Sequence, residues 1–245
     1  SGIGVDTSGN DNHQTVTNLT SADIVEDVPT NNWCTLNPLD VRQGATFTEG
    51  NCKIVTNSSN RNYTISTMGV KTGKWYCEAK ITGGADNHYA WFGTADFDDL
   101  LASSSSTLGD NPNEVGFQCE GGYQKNNSNT SGYASDIDDD DIVGIALDLD
   151  NNRITHHLNG QYANGSGSYN QSSPSSYVSF TNSTMGFAFG DGAGADTATF
   201  LVNFGSHTAF TISSSQTDAN GYGSFEYEPP SGYYALNTKN LAEYG

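Results

Sequence analysis

Five carboxylates fall within six residues at Asp136-Ile-Asp-Asp-Asp-Asp141. Clustered carboxylates suit Ca²⁺, which takes roughly six to eight oxygen ligands. Asp136, Asp138, Asp139 and Asp140 are the candidate ligands here. Against them, a contiguous run splays alternate side chains apart, and no loop Gly or trailing Glu follows as an EF-hand requires. A solvated turn before a strand explains the same residues. Asp6, Ser8 and Asn10 make a second oxygen-rich turn, in which Asp6 and Asn10 are candidate Ca²⁺ ligands and a plain Asx turn is the alternative. Calcium is the only cofactor the residues raise. Asp148 and Asp150 stand two apart, so on a strand they share a face, at a spacing open to a glycosidase carboxylate pair. The Glu-x-Asp-x-x-Glu and Glu-x-Asp-x-Glu strands of sandwich-type glycosidases are absent, as is a Gly-x-Ser-x-Gly elbow. His156 and His157 are neighbours, which a strand turns to opposite sides; one buried and one exposed imidazole is the expectation, and not a shared metal. Tyr123, Tyr133, Tyr162, Tyr169 and Tyr177 sit in polar stretches. A phenol offers a flat apolar face with a polar tip, the chemistry that stacks on sugars or peptides. The same rings could instead anchor long loops to the body.

The elements that position these residues are strands. Charged residues make up only 15% of the 245, and Gly, Ser, Thr and Asn take their place beside 13 Tyr and 11 Phe. Tyr, Phe, Thr and Val suit a pleated surface, while Gly and Asn suit turns. Strand patterns run over Ala45–Thr48, Cys52–Thr56, Tyr63–Met68, Lys74–Ile81, His88–Gly93, Glu114–Cys119, Asp141–Asp150, Arg153–Leu158, Thr184–Phe189, Ala198–Phe204 and Ser224–Tyr227. Alternation is clearest in two of them. Trp75, Cys77, Ala79 and Ile81 take one face, with Tyr76, Glu78 and Lys80 on the other. Val143, Ile145, Leu147 and Leu149 point one way; Gly144, Ala146, Asp148 and Asp150 point the other. Asn151-Asn152 and Asn159-Gly160 supply tight turns. Helical periodicity is almost absent, with one short turn expected at Asp96–Ala102. Long polar loops are expected at 95–112, 121–136, 160–182 and 191–196. Trp33 and Leu36 tuck an N-terminal arm onto the body.

The net charge is −19, with only nine Lys and Arg. A polyanion would be repelled, which argues against nucleic acid and anionic membrane surfaces. No stretch is long and apolar enough to cross a membrane as a helix. Four cysteines allow three pairings and match no zinc spacing; buried free thiols are expected at Cys77 and Cys119, and a Cys34–Cys52 disulfide stays open. The chain begins at Ser1 without Met and reads as a mature or excised piece of something longer.

Four motifs in order give the middle of the chain a resemblance. They are Gly73-Lys-Trp-Tyr-Cys-Glu78, Asp141–Asp150, Ile154-Thr-His-His-Leu-Asn-Gly160 and Val202-Asn-Phe-Gly205. Together they resemble the SPRY family over residues 63–236. The flanks Gly4–Asn12, Pro29–Leu39 and Gly232–Thr238 resemble SPRY-like modules embedded in structural proteins of tailed phages, especially marine ones. The resemblance implies an all-β, antiparallel sandwich of the SPRY, concanavalin-like kind, with no catalytic residues and with ligands held on a loop-formed surface. It divides the chain into an arm and first strands at 1–62, the sandwich at 63–236 and a tail or linker at 237–245. His156 stands where the family carries Phe or Tyr. The implied setting is the exterior of a virion, or otherwise the extracellular space. The implied role is a tail-fibre or appendage module that contacts other virion subunits and a host-surface glycan or protein, trimeric if part of a fibre. A purely structural decoration or joint is the alternative; a secreted carbohydrate-active enzyme is the third.

Overall fold

A computed structural model describes residues 3–18, 27–41, 44–58, 61–97, 107–192, 196–206 and 209–245. Among them lie the strands β1 (Leu36–Val41), β2 (Ala45–Thr48), β3 (Lys53–Thr56), β4 (Asn62–Ser66), β5 (Lys74–Gly83) and β6 (Ala90–Asp96). β7 (Val115–Gln118), β8 (Tyr123–Lys125), β9 (Ser128–Thr130), β10 (Ile142–Asp148), β11 (Arg153–Leu158) and β12 (Gln161–Ala163) follow. The rest are β13 (Tyr169–Gln171), β14 (Val178–Ser179), β15 (Met185–Asp191), β16 (Thr199–Asn203), β17 (Tyr234–Ala235) and the helix α1 (Thr238–Tyr244).

The strands make two sheets. One has seven strands in the order β1-β4-β15-β6-β7-β8-β9. The other has ten; its main path is β13-β12-β11-β10-β5-β16-β3-β2, with β14 on β11 and β17 on β5. All pairings are antiparallel except β17 with β5. Alternation explains what fills the space between the sheets. Trp75, Cys77, Ala79 and Ile81 of β5 face Val143, Ile145 and Leu147 of β10, and Phe92, Phe117, Phe187, Phe189 and Phe200 join the same cluster. The register sets Ile145 between Cys77 and His156. Asn152, with φ 52°, turns β10 into β11, and Asn159-Gly160, at φ 47° and 86°, turns β11 into β12. The Asn159-Gly160 pair, both left-handed, is what a two-residue hairpin turn demands, while β10 and β11 are joined by the four residues 149–152.

Several expectations are corrected. Stretch 121–136 contains the β8–β9 hairpin, and 160–182 contains β12, β13 and β14. Ser224–Tyr227 is not a strand; Phe225 makes one bridge to Gln216. The 237–245 tail carries α1, whose N-cap Asn237 accepts a hydrogen bond from the Asn240 N–H. Beyond Phe97, the turn expected at Asp96–Ala102 lies outside the described residues.

The largest difference concerns the far face of the ten-stranded sheet. Alternation places Tyr76 and Ala146 there, and both are fully buried. Trp33, Phe225, Tyr233 and Ala235 cover them, together with Tyr162. An arm from the N-terminal side and a segment from the C-terminal side therefore make a third layer over this sheet.

All four cysteines are free and buried, so the Cys34–Cys52 disulfide left open above is not formed. Burial pushes the Cys34 thiol up to about 11 and the Cys52 thiol up to about 12. Thiolate is the reactive form. The native protein is expected to leave an aromatic disulfide reagent unconsumed at pH 8 and to titrate four thiols after denaturation. Dithiothreitol is expected to leave the melting temperature unchanged. Rapid reaction of native protein would contradict this burial.

Candidate functional site

The third layer leaves a groove of about 610 Å³ on the far side of the ten-stranded sheet. Lys74, Arg153, His157 and Tyr162 form its floor. Pro174 and Tyr177, from the 172–177 segment, and Tyr227, Pro229, Pro230 and Tyr233, from the 227–233 segment, complete its lining. Such a volume suits a small ligand or one residue of a larger one.

Strand position explains the floor. Lys74 opens β5 and Arg153 opens β11, and each pairs with Asp148 in the ladder. Asp148 is fully buried. Its Oδ2 accepts from Arg153 Nε at 2.8 Å and lies 3.9 Å from Lys74 Nζ. It also accepts from the Asn151 backbone and side chain. The Arg153 guanidinium stacks 3.9 Å from the centre of the Tyr177 ring. No hydrogen bond to its terminal nitrogens is found among the described residues. The Tyr162 hydroxyl is buried without a hydrogen-bond partner among the described residues, and Tyr162 is only 4% exposed; the equally buried Tyr233 hydroxyl interacts with the side chain of Tyr177. A buried polar group left unpaired costs roughly 1–3 kcal/mol, so an unpaired hydroxyl at a groove marks a place for a partner. Burial pushes both phenols well up, which keeps them neutral.

Beneath the groove runs a buried relay. Gly160 N–H donates to His157 Nδ1 at 3.1 Å, which places the imidazole proton on Nε2. Nε2 then donates to Tyr76 Oη at 2.7 Å, and Tyr76 Oη–H donates to Glu78 Oε1 at 3.0 Å. Glu78 also accepts from the backbone N–H of Glu226 and Tyr227, both at 2.8 Å, and from Asn203 Nδ2 at 3.4 Å. Its carboxylate thus pins the segment that carries the Tyr227 wall. Burial pushes the Glu78 carboxyl up, four donors pull it down, and the balance lies at about 7. Gly144 makes room for the relay: a Cβ there would lie 1.9 Å from His157 Nε2 and 2.5 Å from Tyr76 Oη.

The residues singled out by sequence divide between places. Tyr162 and Tyr177 line the groove. Tyr133 is buried; its hydroxyl bonds with the Thr155 hydroxyl and donates to the Ser176 carbonyl. Tyr169 bonds His156 Nε2 through its hydroxyl at 2.7 Å, and Tyr123 packs edge-on against Tyr133. His156 and His157 are both buried, which corrects the expectation of one exposed ring. His156 faces Phe92, Phe117 and Tyr133 inside the sandwich, while Tyr162 of the neighbouring β12 and Tyr227 of the covering layer stand around His157. Asp148 and Asp150 also part company: Asp150 accepts from the Gly73 N–H.

The acidic run is spread over separate partners. Asp139 accepts from Ala85 N–H, Asp140 pairs with Lys80 at 2.9 Å, and Asp136 lies 3.9 Å from His88. The Asp138 N–H is capped by Asp141. Asp6 holds an Asx turn, accepting from the backbone N–H groups of Ser8 and Asn12, and Asn10 donates to Ser8. Among the described residues, no three His, Cys, Asp or Glu side chains gather as a metal site requires.

Sequence reasoning missed Lys74, Arg153, Tyr227 and Tyr233. The one available signal was Glu228-Pro-Pro-Ser-Gly-Tyr-Tyr234, where two prolines fix an extended backbone beside an aromatic pair.

No family model matches the chain, and no curated protein does. Solved structures do. The SPRY domain of human HERC1 aligns with a TM-score of 0.54 at 13% identity, covering 68% of this chain and 96% of that one. A human SPRY domain covers 65% of this chain and 95% of its own at 12% identity, with a TM-score of 0.45. Stonustoxin covers 69% of this chain and 27% of its own at 18% identity, with a TM-score of 0.49. At such identities the likeness is one of fold: the chain is a two-sheet antiparallel sandwich of the SPRY, concanavalin-like kind.

Proposed function

We propose that the chain is a non-catalytic recognition module, carried on the exterior of a virion appendage, whose groove engages a host-surface glycan or protein. The observation that carries the recognition reading is the groove itself: stacked aromatic and cationic groups beside a buried hydroxyl, that of Tyr162, with no partner among the described residues. Rigid aromatic walls and unpaired polar groups are what a preformed binding site offers. The non-catalytic reading rests on what faces the groove. Among the described residues Glu228, at the exposed rim, is its only carboxylate, and both ring nitrogens of His157 are engaged. General acid–base work needs a free titratable pair within reach of the substrate. The virion setting rests on the resemblance of the flanking segments to phage modules.

The test is binding of the purified chain to host cells. Tyr177→Ala removes the ring under Arg153 and is expected to weaken binding at least tenfold with the fold retained. Tyr123→Ala, away from the groove, is expected to bind as wild type. The reverse pattern would sink the groove reading. Absence of cell binding, with the groove occluded by neighbouring subunits in an assembled particle, would favour the structural joint instead.

A further inference from the structure

We propose that the groove binds a carboxylate-bearing saccharide, its acid group seated on Arg153 and Lys74 and its ring against the tyrosine walls. This rests on the recognition reading above and names the ligand class. Three observations carry it.

The first is charge. The chain holds 28 acidic and nine basic residues, and two of those nine meet at this floor. Asp148 neutralises one positive charge and leaves a second. Arg153 spends Nε on Asp148 and its face on Tyr177, which leaves the outer edge of the guanidinium for an acceptor. A planar fork aimed outward matches a carboxylate. Elsewhere the field of a strongly acidic protein discourages anions, so an acidic ligand is directed here.

The second is the hydroxyl chemistry. The unpaired Tyr162 hydroxyl can both donate and accept. So can the exposed rim hydroxyls of Ser172, Ser173 and Ser231. Glu228 adds an acceptor at the rim. A polyol presents the same two-way chemistry and can satisfy such a mixed set, whereas an aliphatic acid cannot.

The third discriminates against a peptide bound by strand addition. One way an extended peptide binds a sheet is by adding a strand to a free edge. The floor strands have none: β10 lies between β5 and β11, and β11 lies between β10 and β12. A ligand here must be recognised by side chains and ring faces, as a sugar is.

The experiment is titration of the whole chain with galacturonate, N-acetylneuraminate and glucose, followed by an array pairing acidic oligosaccharides with their carboxyl-reduced forms. The acidic sugars are expected to bind and the reduced forms to lose at least tenfold. Arg153→Lys keeps a cation for Asp148 but loses the fork, and is expected to cost at least tenfold. Tyr162→Phe is expected to cost about fivefold in affinity while the melting temperature holds or rises, because it deletes an unpaired buried hydroxyl. A merely structural Tyr162 would leave affinity untouched. Equal binding of neutral and acidic sugars would overturn the acid assignment and leave the groove as a recognition site. The same holds if no saccharide binds yet the chain still attaches to cells in a Tyr177-dependent way. Loss of cell attachment as well as saccharide binding would overturn both readings.

Discussion

Glu78→Ala is expected to destabilise the protein by about 4 kcal/mol or more, and to lower its melting temperature by roughly 10 °C. Glu78 is fully buried and accepts from four donors: Tyr76 Oη, Asn203 Nδ2 and the backbone N–H groups of Glu226 and Tyr227. Removing the carboxylate leaves both main-chain N–H groups and the Tyr76 hydroxyl proton without an acceptor, while Asn203 Nδ2 keeps the Ser224 carbonyl; each buried orphan costs roughly 1–3 kcal/mol. An apolar replacement cannot restore the loss, because two of the donors belong to the main chain. Glu78→Gln keeps the volume and one acceptor oxygen but turns an amide N–H₂ toward N–H donors. It is expected to fall between wild type and Glu78→Ala. Urea unfolding of the three proteins at pH 8, where Glu78 is ionised, checks the order. A loss under 1 kcal/mol for Glu78→Ala would mean that the relay holds nothing together. The same substitution frees the Tyr227 wall, so ligand binding is expected to fail at temperatures where the fold survives.

That prediction concerns a residue whose role the sequence hid. Alternation along Lys74–Ile81 places Glu78 on the face opposite Trp75, and a charged residue on an outer face reads as solvated. The face was legible; its cover was not. Phe225 and the Glu226–Tyr227 backbone arrive from about 150 positions away in the chain, and no local period encodes such a contact. The same reason hid the groove. Lys74 and Arg153 look like ordinary strand-end charges until the 172–177 and 227–233 segments close around them. By contrast, the Trp75 strand and the Asp141–Gly160 hairpin were readable, because period-two alternation and Asn-Gly turns are local signals. The β8–β9 hairpin was not, because its return strand, Ser128–Thr130, is exposed and polar throughout. Of the five loop tyrosines, Tyr162 and Tyr177 meet at the groove. Tyr123, Tyr133 and Tyr169 pack with Phe117 and His156 instead.

Acid is expected to unfold this protein well before ordinary carboxylates account for it, and His156→Phe is expected to remove about half of the histidine contribution. Burial pushes both His156 and His157 from 6.5 down to about 3, and the charge of His157 adds to the shift at His156. His156 is enclosed by Phe92, Phe117, Tyr133 and Tyr169, with ring centres 4.3–5.8 Å away. Its Nε2 meets the Tyr169 hydroxyl and its Nδ1 meets nothing, so the proton sits best on Nε2. Protonating His157 would turn an Nδ1–H against the Gly160 N–H that now donates to it. Between pH 6.5 and about 3 the unfolded chain therefore binds protons at both histidines that the native state refuses. Their stabilisation is complete above pH 6.5 and is lost as pH falls toward 3, at about 5 kcal/mol for each ring. Glu78 acts in the opposite sense. Its native value of about 7 lies above the ordinary 4.5, so between pH 4.5 and 7 the native state holds the extra proton. From pH 6.5 to 4.5 the three groups leave a net slope of about 1.4 kcal/mol per pH unit, stability falling with acid. Below 4.5 Glu78 is protonated in both states and the slope steepens to about 2.7 kcal/mol per unit. His156→Phe suits the aromatic cage and removes one histidine. Its stability is expected to be nearly flat from pH 6.5 to 4.5, and to fall at about 1.4 kcal/mol per unit below that. The remaining carboxylates are common to both proteins and cancel in the difference. Urea unfolding at pH 7, 6, 5 and 4 measures it directly: the two curves should diverge steadily with acid. Parallel curves would show that His156 is not held neutral by the core.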